Sequence, residues 1–318
     1  MSNLKNIKNR INSIQSTQKI TKAMKMVASA KVKKAENAVK ASRPFTWELF
    51  NAFFQAYEKI SSLKFDKKQM NEEMAAYVEL LAPRTVKTTA LVVISSNKGL
   101  AGAYSNNIVR HTTEKIKKLK ELGQNVVLYL IGQKAYPPLR NLQTSLNFEI
   151  KEVYTTVLDD IDAMNVLVIS EDIVKAYLNH EIDKIELITT RYQNMMSYKV
   201  EDWTLLPALE AKKDGDILKK FHTEENEAPV KYNSDMIFEP NPYIILSKIM
   251  PMYITNVVYQ ALLEAQASEL ASRMTAMSAA TNNAEEMIQS LTVEYNKARQ
   301  NSITQEITEV ISGADALK

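Results

Sequence analysis

The end of the sequence carries a helical pattern that is far longer than an ordinary globular helix. From 247 to 311 only Pro251 interrupts the pattern, and it lies in the opening turns, where proline is tolerated. A segment of about 65 residues forms a helix of roughly 100 Å, at about 1.5 Å per residue. Because globular helices average about 11–12 residues, we expect most of this helix to extend beyond any globular body.

Apolar side chains recur along this helix at steps of three and four, which is the spacing of a coiled-coil seam. The seam positions are Ala267, Leu270, Met274, Met277, Thr281, Ala284, Ile288, Leu291, Tyr295 and Ala298. The N-terminal stretch repeats the pattern with an average step of about 3.5 residues. Its positions are Leu4, Ile7, Ile11, Ile14, Thr17, Thr21, Met24, Ala28, Val32, Ala35 and Val39. Pro44 is expected to kink or restart this first helix.

A helix this long needs a partner along its length in water, and each terminal segment is the natural partner of the other. Their charges are opposite: residues 1–40 contain ten Lys or Arg and one acid, whereas residues 264–318 contain eight acids and four basic residues. We therefore predict an intramolecular antiparallel coiled coil, with two ordinary helices of a bundle as the alternative. The principal seam residues are Ile7, Ile11, Ile14, Leu270, Met274, Met277, Ile288, Leu291 and Tyr295.

Between the two helices the pattern changes to short apolar runs separated by helical segments. Residues 88–96 and 125–132 are typical of buried strands, and residues 107–122 are typical of an amphipathic helix. The apolar runs at residues 164–170 and 182–192 are interpreted as bracketing or forming further units of this alternating pattern. Continuous apolar strands separated by helices predict a parallel sheet covered on both faces.

The predicted fold class is α/β, with a long two-helix coiled coil from the termini and a Rossmann-like domain between them. The predicted boundaries are 1–60 for the N-terminal coiled-coil helix, 85–235 for the central domain and 240–318 for the C-terminal helix that pairs with 1–60. No apolar run approaches the roughly 18–20 residues of a membrane-spanning helix, so we expect membrane contact only through partners.

The sequence contains no recognisable pattern for catalysis. There is no cysteine, which excludes thiol chemistry, and the three histidines match no metal-ligand spacing. The turn SSNKGLAGAYSNN offers Gly99 and Gly102, but neither a GK[ST] pair nor a third glycine for a dinucleotide fingerprint. We therefore predict no catalytic, cofactor or metal site, and a nucleotide-dependent enzyme remains a rival interpretation.

Several motifs are informative beyond their residue types. They are IKNRINSIQSTQKITKAMKMVASAK near the N-terminus, ASRPF, SSNKGLAGAYSNN, and FEPNP before the last helix. Near the C-terminus stand EAQASELASRMTAMSAATNNAEEMI and YNKARQNSITQEITEVISGADAL, which are the most specific. Together these motifs span essentially the whole chain, and they resemble those of the gamma-subunit family of F-type ATP synthases.

The resemblance implies a rotor subunit without a catalytic site of its own. In that family the two terminal helices form a shaft inside a hexamer of three alpha and three beta subunits, with one shaft per hexamer. The central domain contacts an epsilon-type subunit and the membrane ring of c subunits, which is the only link to the membrane. A transmembrane proton gradient turns the ring, and the shaft couples this rotation to ATP synthesis by the beta subunits and regulates ATPase activity and proton flow.

The resemblance also assigns contact residues and a location. Arg273, Arg299, Gln300 and Thr304 match positions that bind the catch loop of the beta subunit, and Met24 matches a shaft position near the beta hinge. Without cysteine, the thiol control of chloroplast members is impossible. The implied location is the cytoplasmic face of a bacterial cell membrane, with the matrix side of the mitochondrial inner membrane as the alternative.

The basic N-terminal helix leaves one alternative function, a coiled coil that binds nucleic acid. That function predicts salt-sensitive binding of DNA or RNA. The lysines lack the arginine and aromatic residues that usually contact bases, and the C-terminal motif stays unexplained. We therefore predict no nucleic-acid partner.

Overall fold

Two long helices begin and end the part of the chain that the computed structural model describes, which is residues 2–62, 79–213, 239 and 242–315. The first, α1 (Ser2–Ser62), has 61 residues, and the last, here called α6 (Pro242–Asp315), has 74 residues. Both are helices that the sequence periodicity predicts. The last helix begins at Pro242 rather than near 247, so Pro251 lies inside it.

The expected restart of the first helix at Pro44 does not occur, because α1 is continuous through this residue. The hydroxyl of Thr46 donates to the carbonyl of Ser42 at 3.1 Å across the same turn. One turn further on, Phe50 and Phe53 are fully buried against the core. This packing offsets the backbone hydrogen bond that a proline removes from a helix.

A five-stranded sheet lies between these helices in the chain. Its strands are β1 (Thr88–Ile94), β2 (Asn125–Ile131), β3 (Glu149–Tyr154), β4 (Lys184–Asn194) and β5 (Ser197–Leu206). Their order is β3-β2-β1-β4-β5, and only β5 is antiparallel to its neighbour. The predicted parallel sheet is therefore correct for four strands. β5 is antiparallel because only two residues join it to β4, and such a short connection makes a hairpin.

Helices cover both faces of the sheet, as the continuous apolar strands predict. These helices are α2 (Tyr104–Glu121), α3 (Tyr136–Leu146), α4 (Ala163–Leu178) and α5 (Ala208–Lys213). On one face Val92 and Leu187 belong to a buried cluster that includes residues of α1, α4 and α6. On the other face Leu91 and Leu128 belong to a cluster with residues of α2 and α3.

Residues 164–170, which the sequence indicates only as bracketing or forming a further unit, lie in the helix α4. The carboxylate of Asp162 accepts a hydrogen bond from the backbone N–H of Met164, which caps the start of this helix. Val166, Ile169 and Ile173 are buried at helical spacing. A short apolar run of this length is compatible with either a strand or a buried helix segment. The polar residues that follow it in the sequence are needed to recognise the helix.

The chain divides into two compact units. The terminal unit contains Met1–Ala30 and Arg273–Lys318, and the central unit contains Lys31–Ser272. Within the central unit the ring of Phe53 stacks on that of Tyr253, with centroids 4.8 Å apart, while Arg43 contacts Glu264. Along α1 the residue numbers increase from 43 to 53, while those of the contacting residues in α6 decrease from 264 to 253. The two helices are therefore antiparallel. The predicted fold class, an α/β domain with an antiparallel pair of terminal helices, is confirmed.

Candidate functional site

The predicted seam residues lie on the inner sides of the paired helices. Within the terminal unit they are buried or half-buried: Ile7, Ile11, Ile14, Met274, Met277, Ile288, Leu291 and Tyr295. Leu270 is buried in the central unit. The pairing in the terminal unit is partly polar, because the hydroxyl oxygens of Thr21 and Thr281 lie 2.9 Å apart.

The four predicted catch contacts do not form one cluster. Arg299, Gln300 and Thr304 are exposed within about one turn of α6, and the Thr304 hydroxyl donates to the carbonyl of Gln300 at 2.9 Å. Arg273 is half-buried and lies 26 residues earlier in the same helix, which corresponds to roughly 40 Å along its axis. Met24 is half-buried on α1. The structure therefore places Arg273 well apart from the other three predicted contacts.

The outer surface of the terminal unit carries exposed apolar side chains; of these, the sequence pattern predicts only Ile303, Ile307, Val310 and Ile311, as an extension of the apolar stripe after a register slip. On α1 these are Ile20, Met26 and Val27, which are 58–61% exposed. On α6 the exposed apolar side chains are Met287, Val293, Ile303, Ile307, Val310 and Ile311. A group of exposed apolar side chains marks a surface that contacts another molecule. The sequence does contain a sign of this surface, because Ile20, Val27 and Val293 are large apolar residues that lie outside the predicted seam positions.

The two helices of the terminal unit also carry exposed charges of opposite sign. Lys5, Lys8, Lys19 and Lys22 of α1 are exposed. The exposed acids of α6 include Glu285, Glu286, Glu294, Glu306 and Glu309. Exposed charges at these spacings add little to stability, but they influence which surfaces a partner can approach.

In the central unit, α6 packs across the carboxyl edge of the parallel strands. The hydroxyl of Thr189 in β4 donates to the carbonyl of Ala261 at 3.0 Å. The hydroxyl of Tyr104, at the start of α2, lies 3.0 Å from the carbonyl of Ala265. Burial raises the pKa of Tyr104, so this hydroxyl stays a neutral donor. These contacts attach one terminal helix to the sheet.

A buried ion pair joins the other terminal helix to the same place. Arg43 of α1 lies 2.7 Å from Glu264 of α6 through Nη2, and its Nε donates to the same carboxylate at 2.8 Å. The second oxygen of Glu264 accepts from the backbone N–H of Tyr192 in β4 at 2.8 Å, and Gln260 donates to the first at 3.2 Å. We call Arg43, Tyr192, Gln260 and Glu264 the Arg43 clamp. Sequence analysis missed this site.

The turn after β1 is part of the same packing. The hydroxyl of Ser272 in α6 donates to the carbonyl of Ala101, between Gly99 and Gly102, at 2.8 Å. Doubly wound folds bind nucleotides outside the carboxyl ends of the strands, where the strand order reverses. Here that reversal lies at β1, because β2 is on one side of it and β4 is on the other. α6 therefore lies where such a domain would place a ligand.

A second charged cluster lies between α2 and β5. His111 contacts Asp202 at 2.7 Å, and Lys115 contacts the same carboxylate at 3.1 Å. Burial alone would raise the pKa of Asp202, but the bonds from His111 and Lys115 outweigh it and hold the pKa below its usual value. Lys115 also pairs with Glu186, so the charges of this cluster satisfy one another. It connects a helix to the edge strand and has no triad-like arrangement.

Across residues 2–62, 79–213, 239 and 242–315 we found neither a helix that is long and apolar enough to cross a membrane nor a metal-binding group of acids and histidines.

Comparison with known proteins identifies the family of this chain. A sequence model of the family described as ATP synthase matches residues 3–317. The ATP synthase gamma chain of Synechococcus sp. (strain JA-3-3Ab) is 37% identical over 100% of both chains. This chain belongs to the ATP synthase gamma-chain family. It is accordingly a rotor subunit of the central stalk, and these findings do not support a nucleic-acid-binding coiled coil.

Solved structures agree with the gamma-chain fold. A chain of the central stalk and c ring of the Tetrahymena thermophila mitochondrial ATP synthase is 25% identical, with a TM-score of 0.52 over 82% of this chain and 99% of that one. A chain of the Euglena gracilis mitochondrial ATP synthase is 17% identical, with a TM-score of 0.62 over 99% and 95%. The second likeness concerns the fold alone.

Proposed function

We propose that one copy of this gamma chain turns inside a hexamer of three alpha and three beta subunits and transmits the rotation of a c ring to the beta subunits. In the direction of synthesis, a transmembrane proton gradient drives the ring, and the chain also regulates ATPase activity and proton flow. An epsilon-type subunit and the c ring contact the central unit. The chain has no catalytic site of its own and contacts the membrane only through the c ring.

The observation that carries this proposal is the exposed apolar surface of the terminal unit. Ile303, Ile307 and Val310 of α6 are 45–72% exposed, although they continue a helical stripe. α1 pairs Thr21 with Thr281, so at equal rise its first described residue, Ser2, lies near residue 300 of α6. The residues after about 300 therefore extend beyond the start of α1 and need another partner. A hexamer that encloses the helix pair supplies one.

The exposed polar residues Arg299 and Gln300 are suited to a partner contact that fixes the rotational angle of the helix. Arg299 and Gln300 project from a surface with apolar neighbours, and a guanidinium can bind a carboxylate through two parallel hydrogen bonds. Arg273, Thr304 and Met24 complete the proposed set of beta-subunit contacts. Because Arg273 lies roughly 40 Å from the others along α6, we assign it to a different level of the hexamer.

The proposed location follows from the proposed partners. The relatives include cyanobacterial gamma chains, so we place the chain at the cytoplasmic face of a bacterial cell membrane, held there by the c ring. The matrix side of the mitochondrial inner membrane is the alternative location, and the mitochondrial structures of the same fold motivate it.

Reconstitution tests the proposal. The chain is mixed with alpha and beta subunits of a related enzyme, and the stoichiometry and ATPase rate of the isolated complex are measured. We expect one copy per three alpha and three beta subunits, and the double variant Arg299→Ala, Gln300→Ala to lower the rate about tenfold through loss of charge-assisted bonds. The matched control Thr292→Ala, Asn296→Ala changes two exposed polar residues of the same helix and is expected to keep the rate. A chain that stays outside the hexamer would contradict the proposal.

A further inference from the structure

A rotor subunit has to carry twist from its α/β domain into its two long helices. Apolar packing is non-directional, so it resists separation better than it resists rotation or sliding. Hydrogen bonds and ion pairs are directional, and they fix the angle between the groups that they join. The directional contacts between the sheet and each helix therefore decide which helix follows the domain when it turns.

α6 has several directional contacts with the domain. The hydroxyls of Thr189, Tyr104 and Ser272 are all at hydrogen-bonding distance from partners across this junction. None of these three bonds involves α1. Losing any one of them would leave α6 attached through the other two.

The Arg43 clamp joins α1 to β4 and to α6, next to a second contact in which Glu36 of α1 interacts with the hydroxyl of Tyr192. Besides its two contacts with Glu264, the Arg43 guanidinium donates to the carbonyl of Tyr192 at 3.3 Å. One side chain thus contacts the sheet and the partner helix together. The side chain of Arg43 is 13% exposed and that of Glu264 is 1% exposed, so water competes little for these bonds.

The energetics of such a pair favour positioning over stability. Removing two charges from water costs about as much as their attraction returns, so a buried ion pair adds little compared with apolar packing. Its geometry is nevertheless sharply defined, because the guanidinium is planar and its donors have fixed directions. Gln260 and the backbone N–H of Tyr192 hold the carboxylate in turn, so neither partner can rotate freely.

We propose that Arg43 is a positioning residue that fixes the angle of α1 against α6 and β4, so that twist applied to the α/β domain passes into both terminal helices together. This inference rests on the rotor function of the chain. It assigns a task to the Arg43 clamp that is separate from the contacts with the beta subunits.

The test measures the torsional stiffness of the assembled enzyme. The chain has no cysteine, so Lys117→Cys on the exposed side of α2 provides a single attachment point for a bead. The hexamer is fixed to a surface, and the thermal fluctuation of the bead angle is recorded. Two helices that twist in parallel are about twice as stiff as one, so loss of the Arg43 clamp should raise the angular variance, with about twofold as the upper limit because other contacts of α1 remain.

Two variants separate positioning from folding. Arg43→Met leaves a buried carboxylate without its cation, so Arg43→Met, Glu264→Gln removes both charges and keeps an acceptor for the Tyr192 N–H. We expect the double variant to assemble, to hydrolyse ATP, to show the larger variance, and to pump fewer protons per ATP under load. Arg43→Lys keeps the charge without the planar fork, and we expect an intermediate variance.

Lys40→Met is the matched control, because Lys40 is an exposed cation one turn away on α1 that pairs with the half-buried Glu36 of the same helix. It should leave the variance unchanged. Wild-type variance and coupling in the assembled double variant would overturn the proposal. So would failure of both Arg43 variants to enter the complex while Lys40→Met enters it, because the clamp would then serve folding alone. If the wild type itself fails to assemble, the rotor function is contradicted, not the role of Arg43.

Discussion

Two glycines in the turns on either side of β2 have a positive φ. Gly132, which follows β2, has a φ of 101°, and a Cβ built there would lie 3.0 Å from the backbone carbonyl carbon of Ser95. Gly123, in the turn before β2, has a φ of 76°, but an added Cβ would meet nothing within 4 Å. The two glycines therefore have the same kind of backbone conformation and different surroundings.

Gly132→Ala should destabilise the chain by about 2–4 kcal/mol, because the backbone strain adds to an overlap with main-chain atoms that cannot move aside. Gly123→Ala should cost about 1 kcal/mol, from strain alone. Urea unfolding of the isolated chain measures both free energies of unfolding. Equal losses for the two variants would show that the close approach at Gly132 is relieved at no cost.

The carboxylate of Asp202 should give the stability a dependence on pH. Its pKa is lowered in the folded chain, so its contribution is present above the unfolded pKa of about 3.9 and is lost as the pH falls through the lower folded value. The difference in unfolding free energy between wild type and Asp202→Asn should be larger at about pH 5.5 than at about pH 3.5.

The control for that measurement is Asn107→Ala. Asn107 donates to the hydroxyl of Tyr198 at 3.0 Å across the same α2–β5 contact, and this bond carries no titrating carboxylate. Its loss should cost a similar amount at both pH values. A difference for Asp202→Asn that stays constant with pH would contradict the assigned pKa shift.

Residue-scale contacts were the hardest to predict from sequence. Arg43 and Glu264 are separated by 221 positions in the sequence. Arg43 also lies in the motif ASRPF, whose most informative residue for local structure is Pro44. Nothing in a spacing pattern says which charge pairs become buried, because that depends on how distant elements pack. Arg299 and Gln300 were assigned through resemblance, and their exposure agrees with a contact role without testing it.

At the scale of elements, the long periodic segments were predictable and the short ones were not. α1, α6, β1 and β2 follow from the spacing of their apolar side chains alone. β3 has only six residues and exposes several of them as an edge strand, so it lacks the apolar run that marks a buried strand. β5 is the other edge strand, and the charged residues Lys199, Glu201 and Asp202 interrupt its apolar run near its start.

The helix α4 depends on a capping residue that its apolar run conceals. Asp162→Ala should destabilise the chain by about 1 kcal/mol, because the backbone N–H of Met164 loses its acceptor. Asp160→Ala, two residues earlier and exposed, should change the unfolding free energy by no more than about 0.5 kcal/mol. Equal effects of the two substitutions in a thermal or urea unfolding series would contradict the assignment of Asp162 as the cap.

At the scale of the whole molecule, each of the two terminal helices belongs to both units. Residues of α6 before Ser272 are part of the core over the sheet, and those from Arg273 onwards pair with the start of α1. The strand order creates a crevice at the carboxyl edge, and α6 fills it. The architecture of a nucleotide-binding fold is thus used to hold a helix.

This arrangement predicts that the isolated chain binds no nucleotide there. A site with a Kd one hundredth of the ligand concentration would stabilise the chain by about 2.7 kcal/mol and raise its Tm by roughly 4–5 °C. We expect about 1 mM Mg-ATP to leave the Tm unchanged in a thermal shift measurement, since α6 would have to leave its hydrogen bonds to admit the ligand. A saturable rise in Tm would revive the interpretation as a nucleotide-dependent enzyme.

The core of the central unit has a consequence for how the protein is made. Its cluster includes Phe50 and Phe53 from the beginning of the chain and Val257, Val258 and Ala261 from near its end. On the ribosome the sheet strands emerge long before α6 is synthesised. One apolar face of the sheet therefore remains exposed to solvent during translation. Such exposed surface is what chaperones bind. The nascent chain should therefore depend on a holding chaperone until its final segment is released.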